Sequence, residues 1–120
     1  MKLNYKLWLE EKEERYFGDG PCDILQRVDR LGSLRKAAAE INMSYSQAWN
    51  LIKKLEEKLG FKLLEKRVGG ESGGGSHLTD KGRFLAESFA DFRREAQEKL
   101  TMLEDKYFND DFYKQIERGK

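Results

Sequence analysis

One cysteine, one proline and one histidine stand among the 120 residues, and each scarcity closes off a class of protein. The lone thiol, Cys22, excludes an intramolecular disulfide framework and fits a reducing compartment, so it reads as a packed side chain rather than a nucleophile. The one histidine, His77, lies far from Cys22 in sequence, and the Cys and His sets that hold zinc cannot be assembled within the chain. No metal or cofactor is expected. His77 follows Ser76, but no third group orients the pair and no strained nucleophile turn surrounds it, so no catalytic site and no enzyme is read here. No apolar run approaches the roughly 20 residues that span a bilayer, and Met-Lys-Leu-Asn-Tyr-Lys leads into no signal-peptide core. Cytoplasmic residence with no membrane partner is the expectation.

Net charge is also scarce. With 23 Lys and Arg against 22 Asp and Glu, the formal charge of +1 gives no general attraction to an anionic partner. Distribution says more than the total. Between Ser33 and Arg67 the basic Arg35, Lys36, Lys53, Lys54, Lys58, Lys62, Lys66 and Arg67 outweigh Glu40, Glu56, Glu57 and Glu65, whereas the chain from Phe84 onward tips acidic. A basic centre on an acidic support aims one face at an anion. Hydrophobic residues make up 38% of the chain and cluster, which marks a folded single unit of modest core.

Leu3, Tyr5, Leu7 and Leu9 alternate with Lys2, Asn4, Lys6 and Trp8 and predict a half-buried strand, followed by a turn in the charged run Glu10 to Arg15. Gly18, Gly20 and Pro21 precede a helix whose Ile24, Leu25, Val28 and Leu31 form one stripe. Gly32 ends it, and Ser33 caps a short second helix to Ile41, in which Ala37, Ala38 and Ala39 leave room for a neighbour. Asn42 and Met43 break the chain. Ser44 caps a third helix to Leu59, closed by Gly60, with Ala48, Ile52, Leu55 and Leu59 turned inward. Trp49 is expected to be partly buried, and Glu56 and Glu57 to be surface charge. From Thr79 a long helix runs to about Tyr107 with Leu85, Phe89, Phe92, Ala96, Leu100, Leu103 and Tyr107 at spacings of three and four, a seam that needs a partner.

The paired helices, 33 to 41 and 44 to 59, have the pattern of a helix-turn-helix, whose second helix enters the major groove. Its exposed side offers amide, hydroxyl and ammonium donors: Ser44, Tyr45 and Ser46 for phosphate near the helix N-terminus, Gln47 and Asn50 for adenine edges, Lys53 and Lys54 for guanine or phosphate. Ser33, Arg35 and Lys36 flank them on the brace helix. The glycine run from Gly69 to Gly75 lies between two short strands and lacks the lysine of a phosphate loop, so a wing is the better reading. Arg67, Ser72, Ser76 and His77 would bring that wing to the DNA backbone or minor groove.

Gly32-Ser33, Ala37-Ala38, Met43-Ser44-Tyr45, Ala48-Trp49, Gly69-Gly70, Gly73-Gly74-Gly75 and Leu78-Thr79 with Gly82 together resemble the N-terminal DNA-binding domain of ModE-type, molybdate-responsive regulators, itself similar to the winged helix of LysR-type regulators. The likeness covers about Leu3 to Leu103. It implies a winged helix-turn-helix that dimerises through its long helix and binds a palindromic operator, usually at molybdenum-uptake or molybdoenzyme genes, with Ser44 to Asn50 in the groove. Two departures stand out: Ser46 and Gln47 occupy the place of a basic side chain, and no oxyanion-binding domain follows the long helix, so a metal response would come from a separate sensor protein.

The expected fold is therefore mainly α with a small β wing, a winged helix-turn-helix plus a long C-terminal dimerisation helix. Its organisation reads as a DNA-binding domain with an N-terminal strand over 1–83, a dimerisation helix over 84–108 and a charged tail over 109–120, in which Phe112 and Ile116 could pack. The partners are double-stranded DNA and a second copy of the chain. Two other functions remain open from sequence: a protein-interaction module using the long helix, and a small oxyanion-binding protein using the glycine loop.

Overall fold

Helix boundaries fall where the chain carries its caps. The computed structural model describes residues 1–67 and 75–116. In chain order it has strands β1 (Trp8–Glu11) and β2 (Glu14–Gly18), helices α1 (Asp19–Leu31), α2 (Leu34–Glu40) and α3 (Tyr45–Leu59), strands β3 (Leu64–Lys66) and β4 (Ser76–Leu78), then α4 (Asp80–Tyr107) and α5 (Asp110–Gln115). This is a mainly helical winged helix carried on a long helix. Gly32 and Gly60 end α1 and α3 at φ of 70° and 82°, the left-handed conformation that glycine adopts without a Cβ penalty. Ser33, Ser44 and Thr79 each accept an amide hydrogen in the first turn of the helix that follows.

The N-terminal reading needs correction. Residues 1–7 form no strand; the alternating stretch instead runs as an arm whose Leu3 amide donates to Glu104 of α4 at 2.7 Å and whose Leu7 amide donates to Asp19 of α1 at 3.3 Å. Side chains, not a neighbouring strand, accept from these two amides, and the Leu7 carbonyl accepts from the Asp19 amide at 3.2 Å. The charged run expected as a turn is mostly strand. Only Lys12 and Glu13 turn, at φ of 52° and 65°, and two consecutive positive φ values give the tight hairpin geometry that matches strand twist. Another addition is α5, where Phe112 meets the rings of Phe108 and Tyr113.

The core lies where α1 crosses α2, α3 and the start of α4. Ile24, Leu25 and Val28 of α1 meet Ala37 and Ala38, Ile52 and Leu55, and Phe89, while Phe17 from the hairpin sets its ring edge-on to Phe89 at 5.4 Å between centroids. Ala37, Ala38 and Ala48 are fully buried, so α2 and α3 approach as the small side chains allow. Ala39, expected to join them, is exposed, because α2 is a short brace with only one covered face. Outside the core, Glu40 of α2 is gripped by Arg30 at 2.6 Å and Arg27 at 2.7 Å, which ties α2 to α1 and holds the Glu40 carboxyl below its usual pKa.

The wing root is built by close backbone approach. β3 pairs antiparallel with β4, Leu64 opposite Leu78 and Lys66 opposite Ser76. A Cβ on Gly75 would collide with the Gly32 carbonyl oxygen, and one on Gly82 with the Leu63 carbonyl oxygen. These contacts seat the wing against the end of α1 and against the first turn of α4.

Replacing Gly82 with alanine should therefore lower unfolding stability in urea by about 1–3 kcal/mol, as overpacking against backbone does. Gly20 of α1 has nothing within 4 Å of a new Cβ, and Gly20→Ala should raise stability by about 0.4–1 kcal/mol. The depressed Glu40 carboxyl stabilises the fold above its ordinary titration range and stops doing so as pH falls through the lowered value. Denaturation of Glu40→Gln beside the parent chain should then show a gap at pH 7 that closes as the solution is acidified.

Candidate nucleic-acid interface

The exposed side of α3 is set by what the other side buries. Ala48, Ile52 and Leu55 face the core, so Ser46 and Asn50 one turn apart, and Lys54 one turn further, face out. The N-terminus of α3 is locked by a reciprocal cap: Ser44 accepts from the Gln47 amide at 3.1 Å, and the Gln47 side-chain carbonyl accepts from the Ser44 amide at 3.0 Å. That second bond occupies one lone pair of the Gln47 carbonyl and leaves both N–H donors of its side-chain amide open. The side chains of Asn50 and Lys54 make no hydrogen bond or ion pair among the described residues.

Towards the wing, cations lie on rings. Arg35 of α2 stacks over Tyr45 with its guanidinium 4.5 Å from the ring centre, and Lys53 lies 5.4 Å over Trp49. Trp49 is partly buried as expected, at 39% exposure, and it lines a small cleft between α3 and β3 with Tyr45, Lys66 and Ser76. Lys53 is further held by Glu56 at 3.3 Å. It is therefore a pinned charge, whereas Lys54 is a reaching one.

Glu56 is the residue that the sequence reading placed wrongly. It is only 8% exposed, and its Oε2 accepts from the Leu63 amide at 2.7 Å and the Leu64 amide at 3.2 Å. Buried acceptors satisfied by two amides fix the wing root to α3. The available signal was position: residue 56 follows Ile52 by four and shares its buried stripe. Glu57, beside it, is exposed as expected.

The wing candidates divide. The Ser76 amide donates to the Gly32 carbonyl at 3.0 Å and the Arg67 amide to the Gly75 carbonyl at 2.9 Å, which places both residues at the wing root. His77 faces Glu65 across the ladder at 3.2 Å, so its ring is engaged with a carboxylate rather than open on both sides. Ser72 and the glycines from Gly69 to Gly74 lie outside the described residues. Ser33 spends its oxygen lone pair on the Lys36 amide as the α2 cap, while the Lys36 side chain is exposed.

The seam of α4 also divides. Phe89 is buried in the chain's own core, at 4% exposure, and so cannot reach a second copy. Leu85, Ala96 and Leu100 are half-buried; Phe92, Leu103 and Tyr107 are exposed. The N-terminal arm covers part of the far end, where the Tyr113 hydroxyl donates to the Met1 carbonyl at 3.4 Å. No helix among the described residues is long and apolar enough to cross a membrane.

Comparison with known proteins agrees with this geometry. ModE of Azotobacter vinelandii, named a molybdenum transport protein, is 31% identical over 83 residues, which are 69% of this chain and 31% of that protein. The transcriptional regulator ModE of Haemophilus influenzae is 27% identical over 105 residues, 88% of this chain and 38% of its own length. The chain thus spans between 31% and 38% of these two relatives. Among solved structures, the DNA-binding domain of BenM in complex with benA site 1 DNA superposes with a TM-score of 0.55 at 23% identity, over 70% of this chain and 89% of that one, a likeness of fold. The model of bacterial regulatory helix-turn-helix proteins of the lysR family matches residues 22–83, more than half of the sequence. On that match, with a capped helix-turn-helix and wing root in place and ModE among its relatives, the chain belongs to the lysR family of bacterial regulatory helix-turn-helix proteins.

Proposed function

We propose that the chain is a sequence-specific, homodimeric DNA-binding transcriptional regulator whose α3 reads the major groove and whose targets include molybdenum-uptake or molybdoenzyme genes. The observation that carries this is the outward face of α3: a rigidly capped helix presenting Ser46, Asn50 and Lys54, with no protein group competing for the Asn50 amide or the Lys54 ammonium among the described residues. Asn50 has the donor and acceptor that an adenine edge asks for. Gln47, with its carbonyl held in the cap, would turn its NH2 group to a purine N7 or a thymine O4 as a donor. Lys54, Arg35 and Lys36 are suited to phosphates, which set register without reading sequence. Molybdenum enters through the names of the relatives alone, one of them a molybdenum transport protein.

Dimerisation is supported by the exposed Phe92, Leu103 and Tyr107 along α4, a line that a second copy of the same helix would cover. Each protomer would then read one half-site, with centres about 10 bp apart or a multiple of it.

Selection of bound fragments from the source genome tests specificity directly. An inverted repeat upstream of molybdenum-related genes is the expected outcome, and a fragment set without any shared sequence would overturn the reading. On the selected site, Asn50→Ala should cost about 1–3 kcal/mol and relax preference at one base pair. Lys54→Ala should weaken all sequences alike and reduce the salt slope by about one. Leu103→Glu should convert a dimer to a monomer in sedimentation and weaken operator binding at least tenfold; a parent chain that sediments as a monomer on its operator would remove the dimer from the proposal.

A further inference from the structure

On the side of α3 away from the wing, the N-terminal hairpin, the start of α1 and the second half of α3 enclose a cleft of about 500 Å³. Its size falls within the range of small-molecule pockets. Phe17, Pro21, Leu51 and Leu55 give it an apolar floor, and Trp8 stands at its edge. Around the opening are four cations, Lys6, Arg15, Lys54 and Lys58. No carboxylate pairs with any of the four among the described residues: Arg15 lies on the Trp8 ring at 3.9 Å, and Lys58 donates to the Arg15 carbonyl at 3.3 Å. The one acidic residue in the lining, Asp19, is already engaged, with the Leu7 amide at 3.3 Å and with Arg93 at 3.4 Å.

An apolar hollow rimmed by uncompensated cations is complementary to a molecule with a flat or branched hydrocarbon body and one anionic group. A DNA backbone is a poorer match, because phosphates would meet the rim and leave the floor of Leu51, Leu55 and Phe17 unfilled. We infer that this cleft binds a small amphipathic organic anion, a monocarboxylate with an aromatic or aliphatic body, and that its occupancy opposes DNA binding through α3. The coupling follows from shared residues. Lys54 borders the cleft and also flanks Asn50 on the outward face, so a carboxylate that engages Lys54 withdraws it from phosphate. By reciprocity, DNA lowers the affinity for the anion by the same factor. This coupling rests on the DNA reading proposed above; the pocket itself does not.

The test separates the two. With the full chain and no DNA, 2-naphthoate is titrated while the two tryptophan indole N–H signals are followed by NMR, with 2-naphthalenemethanol as the neutral control. The expected result is a saturable shift of the Trp8 signal, with the Trp49 signal unmoved, and affinity for the alcohol at least tenfold weaker. Lys58→Ala and Lys6→Ala should each weaken naphthoate about threefold or more, and Leu51→Trp, which fills the cleft, should abolish its binding. No shift up to millimolar naphthoate, equal affinity for the alcohol, or indifference to both lysine variants overturns the pocket. In a second arm, a duplex of arbitrary sequence at low salt is titrated with and without saturating naphthoate. A several-fold weaker DNA affinity that disappears in Lys54→Ala is expected. Unchanged DNA affinity overturns the coupling, and rim variants that weaken DNA while leaving naphthoate untouched would show the cleft to be a seat for the phosphate backbone.

Discussion

A carboxylate taken out of water costs several kcal/mol unless the protein returns what the water gave, and Glu56 is where this fold meets that condition. Two consecutive backbone amides, Leu63 and Leu64, converge on one of its oxygens, and Lys53 stands by the other. The amides belong to the chain just as it turns from α3 into the wing, so the direction in which β3 leaves is fixed by a side chain of α3 itself. Much that follows depends on that direction. Thr79 binds back to Lys62 and Leu63, Gly82 lets α4 rest on the Leu63 carbonyl, and the wing root docks on Gly32 at the end of α1. Removing the acceptor would strand two amides, at about 1–3 kcal/mol for each buried donor left unpaired.

What could be read from the sequence is what punctuation and period encode. The caps Ser33, Ser44 and Thr79 and the stops Gly32 and Gly60 act through bonds within a few residues, so α1 to α4 were visible before any tertiary contact was known. The turn at Lys12-Glu13 falls within the run expected to turn, but the returning strand β2 was not visible, because no Asn-Gly announces a tight hairpin there. The arm misled for a related reason: Leu3, Tyr5, Leu7 and Leu9 alternate, yet only Leu9 is in a strand, while the Leu3 and Leu7 amides are answered by the side chains of Glu104 and Asp19. Glu56 looked like surface charge because its partners are backbone groups that leave no trace in composition.

The seam on α4 shows a different limit. An apolar stripe records that a face is covered, not by what. Phe89 is covered by the chain's own Phe17, Leu100 is half-covered, and Phe92 and Leu103 stay exposed, although all four sit in one pattern. The candidate base-reading residues were easier to find, since an amide at Asn50 on the polar side of a short capped helix has few structural duties to explain it. The cation-on-ring pairs Arg35 with Tyr45 and Lys53 with Trp49 were out of reach, because they join residues on different helices or in a rotamer that the sequence does not specify.

Gly82 does more than permit contact. Because its missing side chain lets α4 lie directly on the backbone at the foot of the wing, the long helix is rooted at one end; beyond Arg93, which reaches Asp19 of α1, the arm's Leu3 amide on Glu104 is what steadies it. Its 28 residues rise about 42 Å, so a tilt of about 5° at the root carries the far end roughly 4 Å. Mechanically, α4 is a lever with its fulcrum beside the wing root. A modest displacement applied near Tyr107, by a companion molecule or by the arm and α5 letting go, would return to the root as a small rotation of the wing.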